Sequence, residues 1–183
     1  MKKIAVSVFI LSILFVSCTF DYGEGDDSER TQPDMVMKNV EYVRVRSSDP
    51  IARIQAERVE RFEQQGIMTL ENFSFEQFGE GGEGINSFGM AGFALVDIES
   101  VDIFMERGVR IEVESEDIVI ETNQLEWRDR QRILSSGEED EVNISRDAGT
   151  SFTGVGLRVD TRRRTWEFSG PVHGTYIHED EEI

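Results

Sequence analysis

Apolar and polar positions alternate in short runs along the second half of the chain. Val109, Ile111 and Val113 share one parity, while Arg110, Glu112 and Glu114 take the other. Val155, Leu157 and Val159 alternate in the same way with Gly156, Arg158 and Asp160. Successive side chains of a strand point to opposite faces, so each run sets an apolar row against a charged one. Runs at 109–114, 118–122, 125–127, 133–136, 142–146, 151–160 and 165–176 are separated by turn signals such as Ser115-Glu116-Asp117 and Arg162-Arg163-Arg164. The stretch 109–174 therefore predicts an antiparallel meander with one apolar and one wet face.

Alternation begins earlier, from Met35, with Val43 and Val45 opposed to Tyr42, Arg44 and Arg46. Ser47-Ser48-Asp49-Pro50 signals a turn. Residues 51–62 (IARIQAERVERF) carry good helix formers. Ile54, Ala56 and the shift to Val59 also fit a strand with a bulge, and the neighbouring strands favour that reading. After a turn at 64–66, residues 67–78 place Phe73 and Phe75 on one parity. GEGGEG at 79–84 puts two glutamates where a phosphate would sit, so it reads as a solvated hairpin loop. Residues 87–105 hold two strands around Glu99-Ser100, with Val101, Ile103 and Met105 on one face. A loose repeat of strand, polar turn and strand recurs at 57–73, 123–142 and 156–172. Stacked hairpins of this kind share one continuous apolar groove or core. The expectation is an all-β barrel, roll or sandwich.

Charge narrows the partners. The chain has 183 residues, with Lys+Arg 19 against Asp+Glu 37 and a formal net charge of -18. Such a surface repels nucleic-acid phosphates and anionic headgroups alike. The start, MKKIAVSVFILSILFVSC, joins a basic pair to an apolar run too short to cross a bilayer as a helix. It reads as a secretory signal at 1–17 that resembles the bacterial lipoprotein type, with Cys18, the only cysteine, as the lipidated residue. The alternative is a plain cleaved signal or a short uncleaved anchor, with Cys18 incidental. Residues 18–34 read as an acidic flexible tether, 35–177 as the domain and 178–183 as an acidic tail.

Catalysis finds little support. The acid runs Asp26-Asp27 and Glu138-Glu139-Asp140-Glu141 lie in linker and turn sequence, without the contrasted environments that a catalytic carboxylate pair needs. His173 and His178 have no accompanying cluster at metal-ligand spacing. Ser136-Gly137 and Ser169-Gly170 are turn dipeptides, not nucleophile elbows. No catalytic residue, metal or cofactor is expected, and an enzyme such as a glycan hydrolase ranks a distant third.

The pieces ETNQLEWRD, EVNISR and FTGVGLRVDTRRRTWEFSGPV, in that order, resemble the OstA-like periplasmic domains of lipopolysaccharide export, and specifically the LptC family. The resemblance spans about residues 35–176. It implies a twisted, open antiparallel β-roll of jelly-roll type whose interior cups the acyl chains of lipopolysaccharide or a related glycolipid. It further implies edge-to-edge pairing with an OstA-like periplasmic partner and an inner-membrane ABC transporter as the source of cargo. The best-known members carry a transmembrane helix where this chain has Cys18. A periplasmic lipoprotein, with the inner membrane favoured, is the resulting expectation. By itself an apolar row at strand spacing is core more often than cavity. With the resemblance, the expected lining is Phe73, Phe75, Phe93, Val101, Ile103, Met105, Ile111, Ile120, Trp127, Ile144, Phe152, Leu157 and Phe168. Acyl chains should dominate binding, with headgroups left in water. Arg128, Arg130, Arg132 and Arg162 to Arg164 are the basic exceptions, two turn clusters that could meet phosphate, and the favoured reading of them is solvated hairpin tips. The alternative is a structural envelope lipoprotein that joins proteins through its strand edges.

Overall fold

The computed structural model describes residues 32–146 and 149–176. Its strands are β1 (Met35–Arg46), β2 (Asp49–Phe62), β3 (Ile67–Phe78), β4 (Ile85–Asp97), β5 (Ile103–Val113) and β6 (Ile118–Arg128). These are followed by β7 (Ile133–Ser135), β8 (Glu141–Arg146), β9 (Thr150–Val155), β10 (Leu157–Asp160), β11 (Thr165–Phe168) and β12 (Val172–Thr175). All pair antiparallel in a single sheet, and β1 to β6 lie side by side in chain order. At β6 the sheet forks. Its C-terminal end carries β7, then β10 and β11. Its N-terminal half carries β8, then β9 and β12. Neither branch pairs with β1, so the sheet stays open.

The chain passes from one branch to the other at Gly156, whose φ of 69° lies where side chains are disfavoured. A side chain there would also collide with the Ser169 hydroxyl. The crossing is pinned by Gly156 N–H to the Asp140 carbonyl (3.1 Å) and Ser169 N–H to the Gly156 carbonyl (3.0 Å). The expected strand at 151–160 is thus two strands, and the expected strand at 165–176 is likewise two, one on each branch. The runs at 118–122 and 125–127 merge into β6. The turn before β2 is shorter than expected, because Pro50 already pairs with Val45 next to a register shift. Proline fits there because it has no donor to lose from the ladder. Residues 51–62 are strand: two flanking ladders outweigh local helix propensity.

A seam crosses the sheet where the inward row changes step. In β2 the buried residues run Ala56 then Val59, in β3 Leu70 then Phe73, and in β4 Ala91 then Ala94. In β6 they run Ile120 then Leu125. On β5 the same line is crossed by an extra residue at Arg107-Gly108, between Met105 and Val109. Alternate strands supply left-handed residues along this line: Asn39 (φ 51°), Asn72 (φ 47°) and Arg107 (φ 69°). Asparagine tolerates that conformation better than most residues. Asn72 Nδ2 donates to Glu57 Oε2 across the seam (2.6 Å). Bulge-like irregularities of this kind bend a strand and sharpen its twist.

The bend explains the core. Among the described residues there is neither an α-helix nor a second sheet to cover the apolar face, only two one-turn 3-10 helices without buried residues, yet Leu125 and Ala94 are 0% exposed. The sheet must therefore roll over its own inner face. One inward rank runs through Ile54, Phe75, Gly89, Ile111, Ile120, Ile144 and Phe152 across seven strands in register. Full burial of a large side chain such as Ile111, Ile120 or Ile144 contributes about 1.5–3 kcal/mol.

Two substitutions test this packing by urea unfolding. Leu125→Ala should lower stability by about 2–5 kcal/mol through lost burial and a residual cavity. Gly92→Val should lower it by about 1–3 kcal/mol, since a side chain there meets Arg107 Cβ at 2.8 Å and its carbonyl oxygen at 3.0 Å. An unchanged midpoint for Gly92→Val would show that the seam is looser than described.

Candidate functional site

The site with the strongest claim is the inner face itself. Phe73, Met105, Ile111, Ile120, Ile144 and Leu157 are buried in one apolar cluster, and Phe75, Ile103 and Phe168 pack half-buried against it. Small residues make room for the large ones. The Phe75 ring lies over Gly89, and the Phe168 ring lies 2.5 Å from where a side chain on Gly154 would begin. These residues share a face because cross-strand neighbours in register point the same way.

The other expected lining residues lie elsewhere. Trp127 is in register with Ile103 and Leu134, which puts it at the end of the inner face. Its indole N–H donates to Asp129 Oδ1 (3.3 Å), and the Arg132 guanidinium sits 4.8 Å over its ring. Phe152 is in the inward rank beside Ile144 but stands at the margin, 40% exposed. Phe93 points outward, in register with Glu71 and Glu106, and is covered by Arg107 at 4.9 Å. The parity change at the seam put it there, because Ala91 and Ala94 take the inward places on either side. Val101 also leaves the face. It occupies the β4–β5 turn with φ 62°, where its N–H donates to the Asp97 carbonyl (2.9 Å).

Sequence reasoning missed Leu70, Ala94, Val109, Leu125 and Val142, all buried in the same cluster. Val109 and Val142 share parity with Ile111 and Ile144, so alternation alone would have found them. Leu70, Ala94 and Leu125 lie at or beyond the seam, where the only signal is an asparagine or glycine inside an apolar run.

The outer face is a charged lattice. Arg53 pairs with Glu76 (2.8 Å), Arg58 with Glu60 (2.5 Å) and Arg110 with both Glu112 (2.7 Å) and Glu121. Hydrogen bonding to Glu60 raises the affinity of Arg58 for its proton, and hydrogen bonds to Glu112 and Glu121 do the same for Arg110. The hollow of about 250 Å³ at the β5–β6 turn is lined by Glu112, Glu114, Asp117, Ile118 and Val119. Three of its five lining side chains are carboxylates, which makes it a poor seat for an acyl chain.

Among the described residues no three His, Cys, Asp or Glu side chains are placed to hold a metal. His173 is exposed on β12, in register with Thr153. Asp140 Oδ2 accepts the Gly137 N–H (2.9 Å), capping its own turn. Cys18, Asp26, Asp27 and His178 lie outside the described residues.

Two aspartates organise turns at one end of the sheet. Asp97 accepts N–H groups of Glu99 (2.9 Å) and Ser100 (2.7 Å), and the bond from Ser100 leads in holding its carboxyl below the usual range. Asp160 accepts the N–H groups of Arg162 and Arg163 (both 3.0 Å), and the Arg163 N–H leads in lowering it. A carboxylate whose folded pKa lies below its unfolded value, about 3.9, stabilises the fold in full above that pH. The contribution is lost as pH falls through the folded pKa. A double variant Asp97→Asn, Asp160→Asn should therefore lose less Tm than wild type between about pH 5 and about pH 2. Identical losses in thermal melts would remove these turns from the acid response.

A family model described as "Lipopolysaccharide-assembly, LptC-related" matches residues 4–177. A protein of Treponema pallidum (strain Nichols), described as uncharacterized, is 24% identical over 168 residues, covering 92% of this chain and 84% of its own length. Among solved structures, LptH of Pseudomonas aeruginosa, the LptA-homologous periplasmic component of the conserved lipopolysaccharide transport device, superposes with a TM-score of 0.52. That match has 13% identity and covers 70% of this chain and 95% of the other, a likeness of fold. The expected open β-roll is the fold observed.

Proposed function

Since the chain belongs to the LptC-related lipopolysaccharide-assembly family, we propose that it is a non-enzymatic periplasmic bridge component for export of lipopolysaccharide or a related glycolipid. The acyl chains lie against the inner face between the two margins of the roll. The observation that carries this reading is a single-layer sheet, open along one side, whose apolar rank continues across seven strands in register. A closed barrel of this size would fill itself, whereas an open roll lets its edges part and admit an alkyl chain. Apolar burial supplies the affinity, at about 0.8 kcal/mol per CH₂.

Edge pairing belongs to the same reading. β1 is twelve residues long and, among the described residues, bonded on one side only, with Tyr42, Val43 and Val45 exposed along it. Trp166 and Val172 are exposed on the far branches. Unpaired edges of this kind accept a partner strand, so an OstA-like periplasmic protein and an inner-membrane ABC transporter complex are the proposed neighbours. A purely structural adaptor would use these edges and leave the inner face empty of lipid.

Photo-crosslinking separates the two. A benzophenone amino acid at Phe75 should capture glycolipid in cells, while the same group at the outward Phe93 should not. Adducts to protein alone from both positions would favour the adaptor. The proposed anchor at Cys18 is checked by fractionation: Cys18→Ser should shift the protein from the membrane to the soluble fraction. Unchanged membrane retention would exclude a lipid anchor there.

A further inference from the structure

We propose, resting on the lipid-groove reading above, that the two arginine turns form one docking site for the phosphate-bearing headgroup of the bound amphiphile. The β6–β7 and β10–β11 turns are far apart in sequence and side by side in the fold. Arg162 Nη2 donates to the Arg130 carbonyl (2.8 Å). The Thr161 N–H and hydroxyl both donate to the Arg132 carbonyl (3.0 Å each). What read as separate solvated tips is one surface.

Its charge is only partly matched. Arg128, Arg132 and Arg163 answer Glu126, Asp129 and Asp160. Arg130, Arg162 and Arg164 are exposed and, among the described residues, make no direct ion pair, although Arg130 lies near enough to Asp97, and Arg162 to Asp160, to help lower those carboxyls. The acids at this end also serve the backbone: Asp97 and Asp160 accept their own turns' N–H groups, and Asp102 Oδ1 accepts the Asp129 N–H (2.8 Å). In a chain of formal charge -18 this is an island of cation. A guanidinium presents a planar fork of donors that suits phosphate oxygens.

Its position fits an amphiphile. Ile103, Trp127, Leu134, Val159 and Trp166 form an apolar rank, in register, that runs to this end of the sheet. An acyl chain along that rank would bring its headgroup to the arginines. Being exposed, the site orients the ligand and adds selectivity, while the apolar face retains most of the affinity.

The test uses the full chain and two fluorescent amphiphiles with identical acyl chains, a phosphorylated diglucosamine and its enzymatically dephosphorylated form. Wild type should bind both, the phosphorylated one about tenfold more tightly at low salt, with the preference shrinking as salt is added. The variant Arg130→Gln, Arg162→Gln, Arg164→Asn should lose that preference and keep its affinity for the dephosphorylated form. The single variant Arg164→Asn, which suits the φ of 55° there, should lose part of it with the turn contacts intact. A triple variant at Arg44, Arg46 and Arg146 controls for net charge. Equal wild-type affinity for both amphiphiles, or equal losses in test and control variants, would overturn the headgroup site alone. Abolition of the preference by excess inorganic phosphate, with direct phosphate binding, would mark a free-anion site and also overturn it. Failure of wild type to bind either amphiphile would overturn the groove reading beneath it.

Discussion

A single sheet with one apolar face has nothing to bury that face against except itself, and most of this structure follows from that constraint. A flat sheet of these strands would leave Leu125, Ile120 and Val142 in water. Rolled, it buries them to 2% exposure or less. The roll is imposed along the line of Asn39, Asn72 and Arg107-Gly108, where left-handed residues on alternate strands bend the ladder without ending it. Beyond that line every side-chain assignment depends on the change of step. The seam is therefore both the hinge of the architecture and the reason that inside and outside exchange places along a strand.

Legibility divides at the same line. Within a run between irregularities parity holds, so that Val109 lies inward with Ile111, Val142 with Ile144 and Val159 with Leu157. Val155, expected in the row of Leu157, leaves it because Gly156 parts the two strands. Across the seam parity failed, and Phe93 shows why. Its apolar character suggested an inward place, but Gly92 and Arg107 shift the register and leave it under a guanidinium. Val101 failed for a different reason, since a turn closed by Asp97 claims it before β5 begins. Gly156 was visible as a glycine, but its part as the crossing between two branches depends on pairing partners far away in sequence. Parity is local information, whereas register between strands is not.

The same distinction governs the charges. The acidic excess is visible in composition, yet composition does not say where cations are left over. On the outer face Arg53, Arg58 and Arg110 meet carboxylates one strand or two residues away, and such exposed pairs contribute little individually. At the β4–β5 and β10–β11 turns Asp97 and Asp160 cap backbone N–H groups. A carboxylate that accepts two N–H groups has less capacity to answer a neighbouring guanidinium. The turn chemistry that fixes those hairpins thus leaves Arg130, Arg162 and Arg164 facing solvent.

The open side of the roll raises the remaining question, which is why a long edge strand should be left bare. Natural sheets shield such edges with short strands, charge or proline, because an exposed ladder pairs indiscriminately. β1 has some of these guards: Lys38, Arg44 and Arg46 lie along it, and Pro50 disturbs its pairing near one end. It nonetheless keeps Met35, Val36, Tyr42, Val43 and Val45 exposed over twelve residues. A partner strand added there would extend both the backbone ladder and the apolar rank that begins at Ile54. The inner face would then continue from one protein into the next without a polar break. A carrier of long alkyl chains through water needs that continuity, because each CH₂ exposed in transit costs about 0.8 kcal/mol. The bare edge is thus the counterpart of the self-buried face: one shields the apolar row within the protein, and the other allows it to be prolonged.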